Sequence, residues 1–166
     1  MHKPKPKMPH TLPFTPRCKE LLALEGVYEG GITLSCRHRD ILRCSNTKHF
    51  GSCFKPRPPI KRWDGLGPDC YSINSIQPIL YNYNPNICII FKRDRSGQFE
   101  GRVFGRFVIQ VEDITSKVNE SKVARHELLL SRIYGNGLSF EGLRKIFDKY
   151  IILRETHTYL YLPVPW

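Results

Sequence analysis

The chain has 166 residues, enough for one ordinary domain, and its 40% apolar and 11% aromatic content can supply a buried core. Lys and Arg number 26 against 15 Asp and Glu, a formal net charge of +11. A fully disordered chain is excluded by this composition, and a bilayer-spanning helix by the lack of any apolar run near about 18 residues.

Residues 1–16 hold five of the 13 prolines (Pro4, Pro6, Pro9, Pro13 and Pro16) together with Lys3, Lys5 and Lys7. Repeated proline fixes φ and removes donors, so residues 1–17 read as an extended basic arm. The arm lacks the apolar core of a secretory signal, and an intracellular, cytoplasmic protein is expected. On that expectation Cys18, Cys36, Cys44, Cys53, Cys70 and Cys88 are reduced thiols and not a disulfide framework. Residues 18–166 are expected to form a single α+β domain.

Residues 18–25 carry Leu21, Leu22 and Leu24 among good helix formers, which predicts a short helix ending at Gly26. Gly30-Gly31 then predicts a turn, and Ile32, Thr33 and Leu34 a strand. Residues 36–63 form a basic, irregular, Cys/His-rich subregion. From Leu34 to Trp63 there are eight basic residues against Asp40 alone. Within it, Cys36, His38, Cys44, His49 and Cys53 are the residue types that zinc prefers, and Cys36, Cys44, His49 and Cys53 can be written as a tetrahedral set. The chain has no C-x2-C pair, and the reading favoured over zinc makes Cys36 and Cys44 small core residues and His38 and His49 surface histidines. A third reading is catalytic. Cys53 or Cys44 beside His49, with Lys48, Arg39 and Arg43 nearby, would give an activated thiolate, and His38 with His49 an acid–base pair for a phosphodiester. Residues 54–70, with Pro56, Pro58, Pro59 and two glycines, predict a long loop.

The C-terminal half is more regular. Residues 87–92 are an apolar run, Asp94 to Gly97 supply turn chemistry, and residues 99–111 alternate, so a β-hairpin is predicted. Residues 126–134 predict a third strand, ended by Gly135-Asn136-Gly137. Ser139 is an N-cap candidate for an amphipathic helix over residues 140–150, with Leu143, Ile146, Phe147 and Tyr150 on one side. Residues 156–162 predict a last strand before Pro163. The order β-β-β-α-β points to an antiparallel sheet with one packed helix.

Arg102 and Arg106 lie four apart in a strand and share a face. With Lys92, Arg93 and Arg95 they predict a basic sheet face for phosphates; the bland alternative is a solvated surface paired to Glu100 and Glu112. The clustered charge points to a polyanion. The expected function is therefore nucleic-acid binding, RNA favoured, with Arg37, Arg39, Arg43, Lys48, Arg57, Lys61 and Arg62 supplying the field and Arg102 and Arg106 the register. Phe50 or Trp63 would stack a base, and a structural zinc would support the subregion. Two other classes fit the same residues. One is a small enzyme for phosphodiester or acyl transfer built on His49 with Cys53 or His38. The other is a viral or mobile-element inhibitor whose basic face covers an acidic site on a host protein.

Overall fold

The computed structural model describes residues 17–52, 81–115 and 120–156, and for 110–115 and 120–124 the backbone only. The arm, Cys53, the 54–70 loop with Arg57, Lys61, Arg62 and Trp63, and most of the predicted 156–162 strand lie outside the described residues.

The central element is β3 (Ile87–Arg93), whose first five residues are all buried. An unbroken apolar run of this kind cannot leave either face in water, so the sheet must be covered on both sides. It pairs antiparallel with β2 (Thr33–Ser35) and with β4 (Phe99–Thr115), and β2 pairs with β1 (Gly26–Val27) at the edge. On its other side β4 pairs with β5 (Glu120–Leu130) and, near its start, with β6 (Tyr134–Gly135). β7 (Ile152–Glu155) closes the order β1-β2-β3-β4-β5-β7.

Period-two alternation divides the core. Cys88, Ile90, Val103, Phe107, Leu128 and Leu130 face α1 (Lys19–Ala23) and α3 (Phe140–Phe147), where Leu21, Leu143 and Phe147 are fully buried. Ile87, Ile89, Phe91, Phe99 and Phe104 face the other way, against Ile41 and Cys44 from α2 (His38–Leu42) and the turn that follows it. The protein is thus a mixed α+β fold with a largely antiparallel sheet and several helices.

Among the described residues the first helix, the strand at 33–35, the hairpin and the last helix form where expected, whereas the stretch expected to be irregular holds α2. The third strand begins earlier and stops at Leu130: the Ser131 N–H still donates to the Phe104 carbonyl, but the Phe104 N–H is taken by the Ser131 hydroxyl in place of its backbone carbonyl. The chain then returns to β4 for the two residues of β6. β7 at Ile152 precedes the predicted 156–162 segment, starts right after the α3 turn, and runs parallel to β5 because a helix, not a hairpin, connects them. The helix cap forms as expected: the Ser139 hydroxyl accepts the Gly142 N–H at 3.0 Å.

Gly101 permits the β4–β6 contact. A Cβ there would run into the Asn136 carbonyl, which lies just past the β6 turn, where Gly135 and Gly137 take positive φ. Gly101→Ala is expected to destabilise the protein by roughly 2 kcal/mol or more in denaturant titration. Gly51→Ala, where a Cβ meets nothing within 4 Å, should change stability by less than about 0.5 kcal/mol.

Candidate nucleic-acid interface

After β2 the chain crosses from one face of the sheet to the other. Cys36 packs into the α1/α3 side, Arg37 caps α2, and Asp40 and Ile41 turn inward. Asp40 is only 6% exposed, which a carboxylate tolerates when paired and hydrogen-bonded. Its oxygens accept the Ser35 hydroxyl at 2.7 Å and Arg93 Nη2 at 2.9 Å. Arg93 ends β3 on the same face as Ile89 and Phe91, and its guanidinium lies over the Phe91 ring at 4.9 Å and the Phe99 ring at 5.2 Å. Held by a carboxylate and two rings, its side chain remains 41% exposed.

Two grooves open beside this arginine. The first, about 480 Å³, runs between the β1–β2 edge and α2 and is lined by Arg37, Arg39 and Arg93, with Glu25 and Asp40. The second, about 390 Å³, runs between α2 and the β3–β4 turn and is lined by Arg39, Arg43 and Arg93, with Asp40 and Asn46. Arg39, Asp40 and Arg93 belong to both. Guanidinium groups outnumber carboxylates in each, and both carboxylates are engaged. Glu25 accepts the Cys36 N–H at 2.9 Å and lies 3.9 Å from Arg37. Among the described residues Arg39 and Arg43 form no ion pair.

The stretch that follows α2 is stapled to the hairpin turn. The Thr47 hydroxyl donates to the Phe99 carbonyl, and the Lys48 N–H donates to Gln98 Oε1 at 3.1 Å. His49 Nε2 donates to Asp94 Oδ2 at 2.5 Å, while Asp94 Oδ1 accepts from Ser96 and Gln98. The hydrogen bond from His49, and then that from Ser96, hold the Asp94 carboxyl well below the usual carboxylate range. Nε2 of His49 is therefore committed to a neighbouring carboxylate. His38 is exposed at the start of α2.

Arg37, Arg39 and Arg43 are thus brought together, and Lys48 is exposed at the hairpin. The open basic face expected from Arg102 and Arg106 is not formed. Arg102 has no solvent exposure; its guanidinium packs over Tyr134 at 4.6 Å, Phe104 at 4.9 Å and Phe50 at 5.8 Å, and it donates to the Ser52 hydroxyl. Arg106 is half-buried on the same face. Phe50 is accordingly part of the packing around Arg102. Sequence reasoning grouped Arg93 with Arg102 and Arg106 on a sheet face, and did not pair it with Asp40 or place it beside Arg39 and Arg43. The available signal was Asp40 itself, the one acid in a strongly basic stretch, which needed a buried partner.

The zinc expectation is overturned. Among the described residues no three His, Cys, Asp or Glu side chains are grouped so as to hold a metal ion. Cys36 and Cys44 belong to clusters on opposite faces of the sheet, so the chain that links them separates their sulfurs. Cys53 lies outside the described residues. Burial, and then the Glu25 carboxylate, push the Cys36 thiol up to about 12, and burial raises Cys88 as well. Both are buried in the core, where the thiolate form is disfavoured. No protein-family model, curated protein or solved structure matches the chain.

Iodoacetamide at about pH 8 is expected to leave Cys36, Cys44 and Cys88 unmodified in the native protein and to label all three after unfolding, as read by peptide mass spectrometry. A second expectation concerns acid stability. Because the folded-state value of Asp94 lies below its ordinary 3.8, its contribution is fully present above about pH 4 and is lost as pH falls through the depressed value. Asp94→Asn should therefore flatten the acid limb of the stability curve below about pH 4, measured by denaturant midpoint.

Proposed function

We propose that this protein binds nucleic acid, RNA in preference to DNA, chiefly through phosphates that enter the two arginine-lined grooves. The reading is carried by one observation: the grooves share Arg39 and the pinned Arg93, are extended by Arg37 and Arg43, and have both of their carboxylates already engaged. Arginine offers a planar fork of donors that matches phosphate oxygens, and cations fixed in a groove recruit a polyanion by releasing its counterions. The preference for RNA follows from accessibility, since proteins read RNA largely through unpaired segments that can thread such grooves. Lys48, and Lys3, Lys5, Lys7, Arg57, Lys61 and Arg62 beyond the described residues, add to the field that steers the partner in.

The test is fluorescence anisotropy with a labelled single-stranded RNA across a salt series. Log affinity should fall linearly with log salt, and the double variant Arg39→Ala, Arg43→Ala should lose roughly 1.4 from that slope while unfolding at the wild-type midpoint. Affinity that does not change with salt would refute phosphate binding.

A further inference from the structure

The four groove arginines are not equivalent, and the difference narrows the class of ligand. Arg39 and Arg43 carry charge that no carboxylate offsets among the described residues, and they sit one helical turn apart, roughly 6 Å along α2. That separation is comparable to the spacing of successive phosphates on an extended strand. Arg93 is built differently. Its charge is already met by Asp40 at 2.9 Å, and its guanidinium carbon lies 4.9 Å from the Phe91 ring centre and 5.2 Å from that of Phe99. Both rings are buried, at 3% and 5% exposure, and lie 4.5 Å apart, so the surface beneath the guanidinium is rigid. Arg93 thus brings to the junction of the two grooves a planar guanidinium that is paired to Asp40, seated against two buried rings, and still 41% exposed along its side chain. Such a plane adds little net charge for a phosphate, but it offers a delocalised surface on which a nucleobase can lie.

We propose that Arg93 is a base-stacking platform, flanked by the phosphate contacts Arg39 and Arg43, so that the ligand of this interface is a single strand with accessible bases and not a duplex. This rests on the nucleic-acid reading above and assigns separate work to its residues. In a duplex the bases are stacked on one another and their faces are closed to a side chain. A single strand leaves them free, and the stack is sequence-tolerant because every base has a π face.

Binding is measured for the full chain, by anisotropy, to a labelled RNA of about 12 nucleotides and to a strand of the same length and charge with abasic ribose throughout. Wild-type protein should bind the intact strand roughly tenfold tighter than the abasic one. Arg93→Lys keeps a cation for Asp40 but has no plane; it should bind both strands equally, at the level wild type shows for the abasic strand. Arg39→Ala and Arg43→Ala should lower the salt slope and leave the intact-to-abasic ratio in place. Equal wild-type affinity for the two strands overturns the stacking platform while phosphate binding stands. A tenfold preference that persists in Arg93→Lys overturns its assignment to Arg93. Failure of both strands to bind at low salt removes the nucleic-acid reading itself, and the platform with it.

Discussion

A strand with no polar residue over five successive positions has no face that can meet water, and most of this architecture answers that requirement. Ile87 to Phe91 sit between two apolar layers, one supplied by α1 and α3 and the other by α2 with the turn after it. The chain reaches the second layer from β2 within a few residues: Cys36 is still on the first side, and Ile41 is already on the second. A crossing this short forces α2 against the end of β3 and the adjoining hairpin. The arginines of α2 therefore gather beside Arg93 as a consequence of covering an apolar strand.

Charge is handled in two ways that composition does not distinguish. Arg102 is taken fully inside, among three aromatic rings and a serine hydroxyl, where its methylene stem and planar head both find contacts. Arg154 serves Glu127, a carboxylate with 1% exposure, at 2.9 Å. These basic residues are structural. Arg39 and Arg43, in α2 and just after it, form no ion pair among the described residues and stay at the surface. Asp40 joins the two sets: it is the buried acid of a basic stretch, and pairing it with Arg93 both satisfies the acid and fixes the arginine.

The cysteine and histidine pattern illustrates how spacing misleads when the chain crosses a sheet. Cys36 and Cys44 are eight positions apart, close enough on paper to share an ion, yet a strand layer comes between them. His49 is close to both in number but is drawn outward by Asp94, which belongs to a turn 45 residues later. No count of intervening residues contains that information, because the partner is supplied by a different element. The same holds for Arg102. Strand alternation correctly set it on one face with Arg106, but which face would be covered depended on the segment containing Ser45, Phe50 and Ser52.

Local physics was legible without coordinates. The period-two pattern and the Asp94–Gly97 turn specified the hairpin, and Ser139 specified the start of α3, whereas a helix on one face of the sheet was expected and the strand at 87–91 is covered on both. The early end of β5 and the parallel pairing of β7 were not legible, since both depend on long-range partners: Ser131 bonds Phe104 from 27 residues away, and β7 finds β5 only after α3 has packed. The amino-acid sequence by itself determined the excess of positive charge, the α+β character and the position of most elements, because propensity, alternation and capping act within a few residues. Only the tertiary structure decided which arginines are buried, which thiols are core, and which cations meet in a groove. Burial is a property of what packs over a residue, and here the covering atoms come from distant parts of the chain.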